Sequence, residues 1–149
     1  GQNRMDFGFW GFKDKEWRIR PFYYAYGLFT RFLEAGMTPL QIDVTPTCHD
    51  AVFSVLKSED QRKWRVCALN LSEEKIKITI SGLPDLNFEV YAYTADQIPE
   101  QGDLFYGKMQ AMLKKELWNS SVGILDMPSE SLMVLTADAA VCALEITGE

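Results

Sequence analysis

The spacing of apolar positions changes character once along this chain, close to residue 40. Before that point Phe22, Ala25, Phe29, Phe32 and Leu33 recur at intervals of three and four, the period of a helix that buries one face. Pro21 suits the first helical position, where a missing N–H costs nothing. Gly36 suits a left-handed cap, and Pro39 lies just beyond it. A helix is therefore predicted from Pro21 to Gly36. Ahead of it, Met5 to Phe12 (MDFGFWGF) is a short aromatic, glycine-spaced run consistent with a buried strand, followed by a polar turn from Lys13 to Glu16.

From Gln41 onward the period is two. Ala51 to Lys57, Arg65 to Leu71, Lys75 to Ser81 and Phe88 to Thr94 read as strands, and in the third Ile76, Ile78 and Ile80 alternate with Lys75, Lys77 and Thr79. One face of such a strand is wet and the other dry. The separators Ser58 to Lys63, Ser72 to Glu74 and Gly82 to Asn87 suit hairpins and antiparallel pairing rather than crossover helices. Ile98 to Trp118 fits a short helix or a long excursion between strands equally well. Strands resume at Val122 to Asp126, Leu132 to Thr136 and Val141 to Thr147, and with Gln41 to Thr45 the inventory reaches seven or eight. That is a mainly β chain: an antiparallel two-sheet β-sandwich of Greek-key type, preceded by one strand-helix unit. A lone strand-helix unit cannot close a core of its own. It either packs on the sandwich or is the last such unit of something larger.

Composition narrows the function classes. With 149 residues and 47% hydrophobic content the chain can bury the core of one domain without disulfides or a structural metal. Its 15 Lys and Arg against 21 Asp and Glu leave a net charge of −6. The basic patch that phosphate neutralisation needs is missing, and nucleic acid is not an expected partner. No run of 18 apolar residues is present, so no helical membrane span is expected. Cys48, Cys67 and Cys142 form an odd set without CxxC spacing, which favours free thiols and a reducing, cytoplasmic interior. The first residue is Gly rather than Met, as expected of a piece cut from a longer protein.

Candidate chemistry is sparse. His49 is the only histidine, flanked by Cys48 and Asp50; a Cys/His pair works by juxtaposition from separate elements, so His49 reads as a loop residue. With no HExxH or DxDxDG spacing and no GxGxxG around Gly8 and Gly11, neither a metal nor a cofactor is expected. Glu73, Glu74, Asp85, Glu89 and Asp96 fall in turns or on wet strand faces, as solvated acids do. Asn70-Leu71-Ser72 and Asn119-Ser120-Ser121 match the glycan acceptor pattern. The richest signal is aromatic: Trp10, Trp17, Tyr23, Tyr24, Tyr26, Trp64, Tyr91, Tyr93, Tyr106 and Trp118 could stack on sugars. Packing is the commoner role for each except Trp10, where the two readings balance.

The run FGFWGFKDKEWRIRPFYYAYGLFTRF, from Phe7 to Phe32, resembles the last strand-helix unit of a (β/α)8-barrel glycoside hydrolase of the large retaining clan. There a strand ending in W-G/T-F leads through an acidic turn to R-P-x-Y-Y-A-x-x-L-F, and Arg20, Pro21, Tyr23, Tyr24, Ala25, Leu28 and Phe29 stand at those places. The run LDMPSESLMVLT, from Leu125 to Thr136, is similar to the segment closing the C-terminal sandwich of such enzymes, with Ser131 and Leu135 at matching positions. The resemblance implies that residues 1–38 are the final strand and helix of a truncated barrel and 39–149 the C-terminal β-sandwich. It implies that the parent hydrolyses O-glycosyl bonds with retention, through two carboxylates about 5 to 5.5 Å apart. The catalytic glutamates of that family sit on the fourth and seventh barrel strands, so this chain carries no catalytic residue. Trp10, at the end of the eighth strand, is the one position implied to line a sugar subsite. The implied partners are the barrel itself and, through it, a carbohydrate substrate. The alternatives are a free-standing carbohydrate-binding module built on Trp64, Tyr91, Tyr93 or Trp118, and an immunoglobulin-like interaction domain.

Overall fold

A computed structural model describes residues 21–45, 49–94 and 114–139. It contains one helix, α1 (Pro21–Phe32), and eight strands: β1 (Thr38–Pro39), β2 (Ala51–Lys57), β3 (Lys63–Asn70), β4 (Ile76–Thr79), β5 (Asn87–Thr94), β6 (Lys114–Asn119), β7 (Ile124–Met127) and β8 (Ser131–Asp138). The strands form two antiparallel sheets, a six-stranded one in the order β1-β2-β3-β8-β5-β6 and a two-stranded one of β4 and β7. The chain passes between the sheets at β3–β4, β4–β5, β6–β7 and β7–β8, so β8 closes the larger sheet by inserting between β3 and β5. This is the mainly β, two-sheet architecture expected from the period-two runs.

Alternation along each strand decides which layer a side chain joins. Val66 and Ala68 of β3, Val90 of β5 and Met133, Leu135 and Ala137 of β8 meet Leu125 and Met127 of the small sheet, with Phe88 and Trp118 between them and Ile76 and Ile78 half-buried at the margin. The opposite face carries Cys67, Leu69, Tyr91, Tyr93, Leu132 and Val134, and α1 lies over it with Leu28, Ala25, Phe29 and Phe32. Covered from both sides, β8 is buried from Ser131 to Ala137. The larger sheet is thus the middle of three layers.

Three expectations are corrected. Gln41 to Thr45 is not a strand: after Leu40 N–H donates to the Val55 carbonyl the chain leaves the sheet edge, and all five residues are exposed. The pairing strand lies just before it, with Thr38 and Pro39 opposite Lys57 and Leu56. Val122 belongs to a 3₁₀ turn, Ser120–Val122, and strand geometry starts only at Ile124 because Gly123 adopts a left-handed φ of 73°. Helix α1 stops at Phe32, short of Gly36, although Leu33 N–H still donates to Phe29 O at 2.8 Å; Gly36, at φ 86°, instead turns the chain towards β1. The undecided stretch Ile98 to Trp118 ends as strand β6, paired with β5. Its earlier part, Met5 to Phe12 and Val141 to Thr147 all lie outside the described residues.

Candidate functional site

The helix-covered face of the large sheet brings together Tyr24, Tyr91 and Tyr93, three of the aromatic residues that the sequence singled out. Successive outward positions of β5 place Tyr91 and Tyr93 on this face, where α1 meets them. The Phe32 ring sits 4.4 Å from that of Tyr91, and Tyr24 stacks on Tyr93 at 6.0 Å. The Arg31 guanidinium lies 5.0 Å from the Phe32 centroid and 5.7 Å from that of Tyr91, close enough for cation–π attraction. Tyr91 donates its hydroxyl hydrogen to Glu89 at 2.7 Å. Glu89, expected as a solvated acid, is therefore a half-buried acceptor.

Arg65 is the central polar group of this face and is only 4% exposed. Its Nε donates to Phe32 O at 2.9 Å, an orphan carbonyl in the last turn of α1. Nη1 donates to the carbonyls of Trp64 at 3.0 Å and Ala137 at 3.2 Å and to the Asp138 carboxylate at 2.7 Å. Nη2 reaches Glu34 at 3.4 Å, and Glu34 also takes the Lys63 ammonium at 2.6 Å. One buried guanidinium thus caps the helix and ties it to β3 and β8. The sequence reading passed over Arg65, and its available signal was a charge in register with Cys67 and Leu69 on an otherwise apolar face.

Asn70, 1% exposed, ends β3 with every hydrogen-bonding site of its amide used. Nδ2 donates to Glu74 O at 2.8 Å and Pro128 O at 2.7 Å, while Oδ1 accepts from the Ser72 backbone N–H at 3.0 Å and hydroxyl at 2.8 Å. In the folded protein this nitrogen is not available to a glycan. Asn119 is half-buried at the start of the 3₁₀ turn; its Oδ1 accepts from Ser121 and its Nδ2 donates to Asn87 at 2.8 Å.

The other sequence-derived candidates separate clearly. Tyr91 and Trp118 are buried, and Trp118 donates its indole N–H to Ile124 O at 2.7 Å. Trp64 is half-buried, donates to Gln61 O at 2.9 Å and carries the Lys57 ammonium 5.9 Å from its ring. None of these rings forms a flat exposed platform. His49 is exposed in a turn, while Trp10, Trp17, Cys48, Asp96, Tyr106 and Cys142 lie outside the described residues. Among the described residues no group of three His, Cys, Asp or Glu side chains stands close enough to hold a metal ion. No described helix is long and apolar enough to cross a membrane. An open groove between the Gly36 turn and the β2–β3 hairpin is lined by Glu34, Met37, Ser58, Asp60 and Lys63. There Asp60 is held below its usual range chiefly by the Ser58 hydroxyl.

Three groups on or beside the helix-covered face bind their protons more tightly than usual. Burial pushes the Cys67 thiol up to about 11 from 9.0. Burial, and then Tyr24, raises Tyr93, whose hydroxyl is buried without a hydrogen-bond partner among the described residues. The hydrogen bond to Glu34 raises Lys63. Groups with raised folded-state values contribute stability that is complete below their unfolded values and is lost as pH rises through the folded ones. Urea midpoints should therefore fall between pH 9.0 and about 11, with Cys67 contributing about 2 kcal/mol of the loss. Cys67→Ala should flatten that part of the profile; an unchanged profile would show that the thiol is not the titrating group.

No family model matches the chain, and no curated protein matches it. Solved structures do. A glycoside hydrolase family 30 subfamily 8 xylanase from Clostridium acetobutylicum superposes with a TM-score of 0.62 at 14% identity, over 89% of this chain and 31% of its own. A GH30 endoxylanase from Clostridium papyrosolvens gives 0.58 at 15% identity, over 81% of this chain and 28% of its own. The catalytic domain of a GH30 xylanase from Talaromyces cellulolyticus gives 0.57 at 14%, over 82% and 25%. What is shared is the fold. All three are glycoside hydrolase chains, and this chain spans less than a third of the length of each.

Proposed function

We propose that this chain is the C-terminal accessory β-sandwich region of a glycoside hydrolase. Residues 1–38 supply the last strand and helix of a (β/α)8 barrel, and residues 39–149 supply the sandwich. The observation that carries this reading is the match of one continuous helix-plus-sandwich unit, over 81% to 89% of the chain, to xylanase chains of which it spans less than a third. The helix position agrees with it: α1 lies flat on the large sheet, as a final barrel helix would where a sandwich docks. The role of this region is structural, and cleavage of the glycosidic bond belongs to carboxylates elsewhere in the parent. Trp10, at the barrel mouth, lines a sugar subsite there.

A carbohydrate-binding module has less support, since Tyr91 and Trp118, two of the four rings it would use, are buried. Hydrolysis of aryl xylosides and arabinosides by the purified chain, verified at full mass, is the test. The expected rate equals the buffer blank. Turnover above the blank by this chain alone would place catalytic carboxylates within it and overturn the assignment.

A further inference from the structure

We propose that Asn119 is an acceptor for an N-linked glycan, and that Asn70, which carries the same sequence pattern, is not one in the folded protein. The inference rests on the side chains at the end of β6 and does not depend on the glycosidase reading.

Asn-x-Ser is the pattern in which an asparagine amide is glycosylated, and both Asn70-Leu71-Ser72 and Asn119-Ser120-Ser121 match it. The structure separates the two. An acceptor nitrogen exchanges one of its two hydrogens for a bulky, hydrophilic substituent, so it needs a spare hydrogen and open space. Asn70 has neither: its hydrogens are committed to Glu74 O and Pro128 O, and the residue is 1% exposed. Asn119 has both. Its Nδ2 gives one hydrogen to Oδ1 of the exposed Asn87 at 2.8 Å, and among the described residues the other hydrogen has no acceptor. Ser121, which completes the pattern, is exposed as well.

The local turn also prepares the amide. Asn119 Oδ1 accepts from the Ser121 backbone N–H at 2.9 Å and from the Ser121 hydroxyl, closing an Asx turn. Two donors on the amide oxygen polarise the group and make its N–H hydrogens more acidic. In the transfer, Nδ2 attacks the anomeric carbon of a lipid-linked glycosyl diphosphate. The N–C bond forms as the C–O bond to the diphosphate breaks, the diphosphate leaves with the electron pair, and the amide proton passes to the transferase. The hydrogen left on Nδ2 keeps the bond to Asn87, so the turn survives the modification.

The surroundings of Asn119 suit a glycan. Leu117 lies two positions earlier on the same face of β6 and is 75% exposed, more than any other large apolar side chain among the described residues. β6 is also the outermost strand of its sheet. A glycan rooted at Asn119 covers that leucine and obstructs the addition of a foreign strand at the edge. Burial keeps the free thiol of Cys67 from pairing in the oxidising compartments where such transfer takes place.

Secretion of the chain from yeast behind a cleaved leader, followed by peptide mass mapping of the monomeric fraction, is the test. The expected result is a glycan on the Asn119 peptide that endoglycosidase H trims to one N-acetylglucosamine, and an unmodified Asn70 peptide. Asn119→Gln and Ser121→Ala should each abolish the glycan, whereas Ser121→Thr, which restores a hydroxyl, should keep it. Where no folded chain is secreted, translation into microsomes reads the same mass change at Asn119 and its loss in Asn119→Gln. An unmodified Asn119 peptide would overturn the proposal, as would a glycan on Asn70 of the monomeric chain.

Discussion

Replacing Asn70 with Ala should lower the free energy of unfolding by about 3 kcal/mol, read from urea melts at constant slope. The amide joins three pieces of backbone: the end of β3, the Ser72–Glu74 turn into β4 and the Pro128 turn between the two sheets. Alanine removes all four hydrogen bonds at once. Each is worth about 1 kcal/mol net, and the partners differ in how easily water replaces it. Glu74 is exposed and resolvates, whereas Pro128 O is half-buried and keeps only the Ser131 hydroxyl at 2.7 Å. Asn70→Asp is the informative control, because it keeps the shape but turns a carboxylate oxygen towards two carbonyls. It should recover none of the loss at neutral pH. A cost below about 0.5 kcal/mol for the alanine variant, typical of surface positions, would mean that these turns hold without the amide.

Phe88→Ala should cost more, about 4 kcal/mol, the usual range for emptying an aromatic site in a core. Phe88 is fully buried between the sheets, its ring 5.7 Å from Trp118. Trp118 is tied to Ile124 O of the small sheet, so the pair links β5 and β6 to β7. Surrounding strands are locked by their ladders and cannot collapse into the space, which is the condition under which the cavity term is largest. Phe88→Leu refills part of the volume and should recover about half of the loss. Equal losses for the two variants would argue against a cavity as the cause.

The parts of this fold that could be read directly are those where one local rule acts alone. Pro21 and the spacing of Ala25, Phe29 and Phe32 mark the helix because a single face is buried. Ile76 and Ile78 mark β4 because one side of it is wet and the other dry. Ile42 and Val44 show the same alternation without a strand, since periodicity records what could be buried and not whether a neighbour covers it. Arg65 and Asn70 were illegible for a different reason. A polar residue ordinarily signals solvent, and only the fold brings Phe32, Glu34 and Asp138 to the guanidinium, or Pro128 to the amide. Tyr91 and Tyr93 could be assigned to one face from their spacing, but which element stands over them depends on a helix about 60 positions earlier in the chain. Trp10, the one candidate site residue, lies outside the described residues, and its role rests on the motif resemblance.

The reading of this chain as one region of a glycoside hydrolase is tested most directly by sequencing the native gene upstream of the codon for Gln2. The account predicts an open frame extending by about 250 residues or more, the usual size of a barrel, with alternating strand and helix periods and glutamates at the ends of its fourth and seventh strands. A stop codon just before Met5 would contradict it, and would make the helix-covered sandwich a small protein with a function of its own.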